Sequence, residues 1–347
     1  MRERLLGWRW ELLLTAILVV VVIVDLSVSP FYFSGINFSN MFQLSIEKVI
    51  VVVMMTLVII NGEIDLSVAS VMAFSACTLA ALHERGAPFE LAVVIALLAG
   101  AAAGLLQGAF VAFIGLPSLV VTLAGLIGFR GAARILLEDR SIGDFPEWFD
   151  SLGQDKLVGR ISLGMVIFAG LLVVAAVVLH RTAFGRKLYV IGTNAEVARY
   201  SGIGVARVKL LVLTSSGFVA GLAGVLYASR LGSVRGDLAR GFELDIITMV
   251  LLGGVSIFGG SGTIVGVALA ILIVLNLRSG LGLANVESNT QTGIIGAILI
   301  GSVLVPNVAA RVSERLQRAR PAAGKRAAGD RPAGGGDAAH AEPDLQS

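Results

Sequence analysis

Long apolar runs dominate this chain and limit the folds open to it. In a helix that rises 1.5 Å per residue, about 20 apolar residues cross the hydrocarbon core of a bilayer. Backbone polar groups inside a bilayer must bond within their own segment, so these runs are expected to be helices. The sequence therefore predicts an all-α polytopic membrane protein with about ten transmembrane helices. The predicted spans are residues 12–28, 44–60, 66–82, 91–114, 116–137, 161–179, 210–228, 246–258, 263–277 and 292–305.

Composition supports a membrane protein and excludes other classes. Of 347 residues, 56% are hydrophobic and 15% are charged, and the mean hydropathy is +0.87. The net charge is +3, but the basic residues lie in loops and tails beside apolar runs. Because they do not form one basic face, no nucleic-acid partner is predicted. Cys77 is the only cysteine and lies in an apolar run, so it is expected to pack between helices.

The distribution of basic residues predicts the orientation of the spans. Arginines precede the first span, and six bases follow the sixth span between residues 181 and 209, with Glu196 as the only acid there. By the positive-inside rule, both segments and both termini are cytoplasmic. A cleaved signal peptide is the alternative for the first span, since residues 27–29 have small-x-small spacing. One loop disagrees with this orientation, because Arg230, Arg235 and Arg240 would face outward.

The sequence predicts a folded membrane domain followed by a disordered tail. Residues 1–310 are predicted to form the membrane domain. Residues 311–347 begin with a basic segment and continue in Ala, Gly, Pro and charged residues. This tail contains too few large apolar groups to form a core, so it is predicted to be a disordered cytoplasmic segment.

A polar stretch at residues 185–209 interrupts the apolar sequence. Asn194 can cap a helix, Glu196 suits the positive helix end, and Gly202 can end the helix in a left-handed conformation. The stretch therefore predicts a two-turn helix over residues 195–201. Because so short a helix is marginal alone, it must pack on a larger element. Its apolar side is expected to consist of Val197, Ala198 and Tyr200.

Two acidic motifs resemble each other. Glu63-Ile-Asp65 follows the second span, and Glu243-Leu-Asp245 follows the seventh, so five crossings separate them. An odd number of crossings would invert one copy relative to the other, as in the inverted repeats of transporters. The alternative is two unrelated helix starts, in which the four acids favour the positive helix ends.

Other candidate motifs lack the residues that their chemistry needs. The glycine-rich residues 253–266 contain no Lys for a phosphate-binding loop, and the histidines have no metal-ligand spacing, so no metal site and no enzyme activity is predicted. Gly100, Gly104 and Gly108 are expected to form a helix-packing face, as are the glycines of residues 253–266. Glu47 and Lys48 are interpreted as flanking charges near the outer end of the second span.

Three stretches resemble the permease subunits of bacterial ABC sugar importers of the ribose and arabinose type. They are residues 61–70 (NGEIDLSVAS), 185–208 and 251–266 (LLGGVSIFGGSGTIVG), in the order of that family. Glu63 stands where the family usually has Gly. The resemblance implies a permease in the inner membrane, as a homodimer or paired with a similar permease. It also implies cytoplasmic ATPase subunits, which hydrolyse ATP with Mg, and a periplasmic sugar-binding protein, so no cofactor is expected in this chain.

The resemblance also assigns roles to residues. By position, the predicted short helix would be the coupling helix that lies in a cleft of the ATPase, formed by Asn194, Ala195, Glu196, Ala198, Arg199 and Gly202. The C-terminal part most resembles permeases for rhamnose, so rhamnose or a ribose-like monosaccharide is the expected substrate, with autoinducer-2 as the alternative. An ion-coupled secondary sugar transporter and an intramembrane enzyme are the competing hypotheses.

Hydroxyl and amide side chains within or beside the spans are candidates for the sugar path. For each of them, hydrogen bonding between helices is the alternative. The candidates are Ser67, Ser70, Thr122, Asn276 and Asn285, with Asn289 and Gln291 beside them.

Overall fold

A computed structural model describes residues 2–138, 140–298 and 300–301. These residues are mostly helical, which confirms the predicted all-α class. A π-helical turn, Phe110–Ile114, extends the fifth helix. The helices of the first half are α1 (Arg2–Val28), α2 (Gly35–Gln43), α3 (Ile46–Ile60), α4 (Val68–Glu84), α5 (Phe89–Ala109) and α6 (Ser118–Leu137).

The second half continues in the same way, with residues 288–298 also helical. Contacts divide the chain into residues 1–299 and residues 300–347, and the fold described here is that of the first unit. The helices are α7 (Glu147–Gln154), α8 (Leu163–Arg181), α9 (Ala183–Thr193), α10 (Ala195–Tyr200), α11 (Val205–Leu231), α12 (Phe242–Leu252) and α13 (Ile264–Leu283). Two short antiparallel pairs join β1 (Ile142–Gly143) to β4 (Ser233–Val234), and β2 (Lys156–Val158) to β3 (Ile161–Ser162).

The structure shows fewer full-length spans than the sequence predicts. Six described helices are long and apolar enough to cross a membrane, namely α1, α5 with its π-helical turn, α6, α8, α11 and α13. The pair α2 and α3, bent by 59°, would be a seventh. The predicted count of ten is not confirmed, because α4 has 17 residues and α12 only 11. The last predicted span, 292–305, ends outside the described residues, and so does the predicted tail at 311–347.

Helix α3 lies at the centre of the bundle. Every residue of α3 except Met54 is buried, and the helix packs against α8, α11 and α12. Its 15 residues make it about 22 Å long, so its two ends mark two levels of the bundle. Glu47 and Lys48 lie in its first turn, and Ile60 is its last residue.

Glycines allow α5 and α11 to approach closely. A Cβ atom on Gly217 in α11 would lie 2.7 Å from the Cα of Gly104 in α5, and it would overlap the carbonyl oxygen of Gly100. Gly221 lies one turn further along and faces Gly100 as well. The predicted packing face at residues 100, 104 and 108 is therefore confirmed, and its partner is a second small-residue face on α11.

Helix α12 is short and is followed by a non-helical segment. After Leu252 the chain continues without helix through residues 253–263, which we call the glycine loop. Asp245 in the first turn of α12 bonds to Lys48 at the start of α3. The N–H of Gly260 in the loop donates to the carbonyl of Ile60 at the other end of α3, at 2.9 Å. Helix and loop together thus run the length of α3.

The acidic segment at residues 138–160 folds over one end of the bundle. Its helix α7 places Phe149 among other aromatic rings, including Phe89 and Phe145. The Phe149 carbonyl accepts a hydrogen bond from the Ser229 hydroxyl, close to Arg230. We call this the Arg230 end of the bundle, and we call the opposite end, where α3 finishes, the α10 end.

Candidate functional site

The predicted short helix is confirmed as α10, which is capped at both ends. The side-chain oxygen of Asn194 accepts from the N–H groups of Glu196 and Val197 at 2.9 and 3.0 Å. Gly202 has a φ of +78°, and the N–H of Ile203 bonds back to the Ala198 carbonyl at 3.0 Å. This is the Schellman arrangement, in which a left-handed glycine ends the helix. Both ends of α10 are therefore determined by local sequence.

The face that α10 turns outward differs from the prediction. Of the three residues expected on its apolar side, only Ala198 is buried, while Val197 is 55% exposed and Tyr200 is 92% exposed. Ala195 and Ala198, one turn apart, are the residues that meet the bundle. Val197 and Tyr200 instead join Arg199 and Glu196 on the exposed side. The outward face of α10 is thus partly apolar.

Helix α9 holds α10 against the bundle. Asn194 ends α9 and begins α10, so the two helices share one residue. Gly192 in α9 packs on the backbone of Ile60, and a Cβ atom there would lie 2.5 Å from the backbone nitrogen of Gly260. These close contacts tie α10 to the end of α3 and to the glycine loop, so displacing α10 requires moving them as well.

The first acidic motif lies at the α10 end and bonds to α11. Glu63 is 2.5 Å from the ammonium group of Lys209 in the second turn of α11. Asp65 is almost fully buried and accepts from the backbone and hydroxyl of Ser67 and from the hydroxyl of Ser216 in α11. Asp65 thus precedes α4, as predicted, but two of its three bonds stay local and the third reaches across to α11.

The second acidic motif lies at the Arg230 end and bonds to α3. Glu243 and Asp245 are in the first turn of α12, as predicted for acids at a helix start. One carboxylate oxygen of Asp245 lies 2.7 Å from Lys48 in α3 and 2.8 Å from Arg278 in α13. Asp245 therefore joins three helices.

The two acidic motifs are related by their contacts. Each comes after one long helix and forms an ion pair with a lysine near the start of the other: Glu63 comes after α3 and bonds to Lys209 of α11, and Asp245 comes after α11 and bonds to Lys48 of α3. The pairs lie at opposite ends of α3. The pairs are reciprocal between the helices, as expected of an inverted repeat, although the first motif uses its first acid and the second motif its last.

The interpretation of Glu47 and Lys48 as flanking charges is wrong. Glu47 is fully buried, and Arg230 at the end of α11 bonds to both of its carboxylate oxygens at 2.7 and 3.3 Å. Lys48 is bonded to Asp245, as described above. Arg230, which disagreed with the predicted orientation as a loop charge, is therefore neutralised inside the bundle.

Three of the candidate path residues bond within the chain. Ser67 donates to Asp65, Ser70 donates to the carbonyl of Ser67, and Thr122 donates to the carbonyl of Ile64 at 3.0 Å. All three are buried. Their hydroxyls join the loop before α4 to α4 itself and to α6, which is the alternative that sequence left open for them. A role in transport stays a prediction.

Comparison with known proteins gives the family. A family model described as "Branched-chain amino acid transport system / permease component" matches residues 37–303. The chain belongs to this permease family. As an ABC importer permease, it is a multi-pass protein of the inner membrane, and importers of this class work with ATPase and periplasmic binding-protein partners.

Three similar curated relatives share the printed name "Autoinducer 2 import system permease protein LsrD". A relative from Yersinia enterocolitica is 34% identical over 329 residues, which cover 90% of this chain and 96% of the relative. One from Photorhabdus luminescens is 33% identical over 310 residues, covering 85% and 90%. One from Salmonella typhimurium is 35% identical over 304 residues, covering 84% and 91%. No solved structure matches the permease.

The permease has two neighbouring cavities at the Arg230 end that contain polar side chains, although most of their lining is apolar. The first, of about 300 Å³, is lined by Asn276, by Tyr32, whose hydroxyl donates to Asn276, and by Asn37. The second, of about 410 Å³, is lined by Asn37 as well and by Lys48 and Arg278. Sequence had suggested only Asn276 and Gln291 of this set. Tyr32 and Asn37 were missed because they lie outside the predicted spans.

Asn285 has a different position from Asn276. It lies just after α13 with a φ of +57°, and it is exposed. Asparagine tolerates this left-handed conformation better than most residues, so Asn285 is suited to end the helix. It does not line either of these two cavities.

A third cavity concentrates positive charge beside α12. It has a volume of about 420 Å³ and is lined by Arg130, Arg134, Arg240 and Glu243. The arginines come from α6 and from the loop before α12. Glu243 thus faces a cavity rich in arginine, which sequence did not indicate, because the residues are far apart along the chain.

Proposed function

We propose that this permease imports autoinducer-2, driven by an ATPase that binds α10. The observation that carries the substrate is the shared name of the curated relatives, which match the permease along 84–90% of its length. The expected rhamnose or ribose-like substrate has no such support, whereas the autoinducer-2 alternative does. Two cavities at the Arg230 end combine apolar walls with amides, a tyrosine and two bases, which is compatible with a small polar substrate.

The geometry of α10 supports the proposed coupling. A coupling element must be exposed to its partner and must also transmit force to the spans. The outward face of α10 is exposed, while its ends are fixed to α9 and α11 and, through Gly192, to the end of α3. A displacement of α10 by the ATPase would therefore reach α3 and α11, which carry the reciprocal ion pairs.

The substrate assignment can be tested in cells that carry the complete importer. We expect such cells to remove autoinducer-2 from the medium, and we expect cells that lack only this permease to leave it there. A large excess of rhamnose or ribose should not slow the removal, because those sugars would not share the site. The measurement is the concentration of autoinducer-2 in the medium over time, with permease abundance determined by immunoblot.

Labelled rhamnose and ribose provide the opposing measurement. If uptake of either sugar depends on the permease while autoinducer-2 stays in the medium, the substrate assignment is wrong, although the assignment to an importer permease would stand.

A further inference from the structure

The glycine loop, residues 253–263, has a closely determined backbone. Gly254, Gly259, Gly260 and Gly262 have φ values of +84°, +83°, +72° and +136°. These conformations suit glycine, which has no Cβ. The loop also closes on itself, because the N–H of Ser256 donates to the carbonyl of Ser261 at 3.1 Å. Residues 257 and 258 therefore form the tip of a defined turn.

Three elements hold the loop at the α10 end. Gly260 donates to Ile60 at the end of α3, and a Cβ atom on Gly259 would lie 2.6 Å from the Cα of Gly62. The Tyr189 hydroxyl of α9 donates to the Gly262 carbonyl at 2.8 Å. Burial raises the pKa of Tyr189 above its ordinary value, so the hydroxyl stays protonated and able to donate. The loop is thus fixed against both α3 and α9.

The tip of the loop exposes apolar side chains next to α10. Phe258 is 88% exposed and Ile257 is 46% exposed. Gly260, two residues after Phe258, packs against Thr193, which immediately precedes the cap of α10. Two residues span at most about 7 Å, so Phe258 lies near the start of α10. The described chain covers little of this ring, so packing within the chain does not explain its position.

The surface around this tip has the composition of a protein interface. Val197 and Tyr200 of α10 add exposed apolar area, and α10 and the segments on either side of it carry exposed bases. Interfaces commonly combine an apolar centre that is rich in aromatic residues with a polar rim. The exposed bases of α10 and its neighbouring segments are Arg181, Arg186, Lys187, Arg199 and Arg207, against Glu196 as the acid within α10.

We propose that Ile257 and Phe258 form a second contact with the same ATPase subunit that binds α10. The partner surface would be an apolar recess that accepts an aromatic ring and is bordered by acidic side chains. This inference rests on the proposed function, because the contact is continuous with the proposed α10 interface. It assigns a role to the glycine-rich motif, whose glycines place the apolar tip where a partner of α10 can reach it.

The test measures the affinity of the purified ATPase for the permease in lipid nanodiscs. Phe258→Ser is expected to weaken binding about tenfold, since it removes one buried aromatic side chain from the interface. Phe258→Leu should retain most of the affinity, because it keeps an apolar group. Phe31→Ser is the matched control: Phe31 is 72% exposed, in the segment between α1 and α2, and is expected to leave binding unchanged. Thermal unfolding of each variant establishes that it is folded.

A variant of α10 separates this inference from the proposed function. Tyr200→Ser should weaken binding whether or not the loop takes part. If Tyr200→Ser weakens binding while Phe258→Ser leaves it unchanged, the second contact is wrong and the α10 interface stands. If the wild-type permease does not bind the ATPase at all, the proposed coupling itself is wrong. If Phe258→Ser changes only the stability of the permease in nanodiscs, the ring belongs to the membrane surface and the inference is overturned.

Discussion

Replacing Arg230 with Met is expected to lower the free energy of unfolding by about 3–5 kcal/mol, because it leaves a buried carboxylate without its partner. Glu47 is fully buried, and Arg230 is the cation bonded to both of its oxygens. Changing both residues, as Glu47→Gln with Arg230→Met, should recover much of the loss, since neither position of the pair then leaves an unpaired buried charge. Denaturant titration in mixed micelles measures the three free energies.

The chain offers a matched control for this experiment. Arg140 bonds to both oxygens of Glu84 at 2.8 and 3.3 Å, nearly the same geometry as the buried pair, but the two side chains are 54% and 41% exposed. Arg140→Met should therefore cost less than about 1 kcal/mol. Equal losses for Arg140→Met and Arg230→Met would contradict this expectation, because burial would then have no effect on the cost.

Replacing Gly217 with Val is expected to destabilise the permease by about 3 kcal/mol, since a larger side chain must separate α5 from α11. A Cβ atom at this position already overlaps the Gly100 carbonyl oxygen and lies 2.7 Å from the Cα of Gly104. Gly170→Val is the matched control, because Gly170 is a helical glycine in α8 with nothing within 4 Å of its Cβ position. Thermal unfolding in nanodiscs should show a large loss for the first variant and a small one for the second. A small loss at Gly217 would mean that the two helices are not held in close contact.

Local sequence predicted α10 well because its determinants are local. An asparagine at one end and a glycine at the other determine a helix of six residues without help from distant parts of the chain. The outward face was not predictable in the same way. Val197 and Tyr200 are apolar, so sequence placed them toward the bundle, but which side of a short helix packs depends on α9 and α11. Only the structure shows that Ala198 alone is buried.

The partners of the charged residues within the bundle could not be predicted from the sequence. Glu47 and Arg230 are 183 residues apart in the chain, and Lys48 and Asp245 are 197 apart. No local pattern connects such partners, so Glu47 and Lys48 were predicted to be flanking charges and Arg230 an outward loop charge. The similarity between the two acidic motifs was the available signal. In an inverted repeat, the segment after α3 and the segment after α11 have equivalent partners, and each motif does bond to the other helix.

The number of spans was harder to predict than their positions. Most predicted apolar runs contain a helix, but run length alone does not show where a helix breaks. The eighth run contains α12 and then continues as the glycine loop, because glycines at positive φ end the helix. Helix and loop together reach the end of α3, although the helix is only 11 residues long. The sequence therefore predicts a span at this position, but α12 alone is too short to cross a membrane.

The central claim is that transport through this permease is driven by ATP hydrolysis in a partner bound at α10. Its most direct test is uptake of autoinducer-2 into proteoliposomes that contain the permease and its ATPase, with the binding protein outside and ATP with Mg enclosed. We predict uptake with ATP, none with a nonhydrolysable analogue, and no effect of an uncoupler. Uptake by the permease alone that persists without ATP and collapses with the uncoupler would show an ion-coupled secondary transporter and contradict the claim.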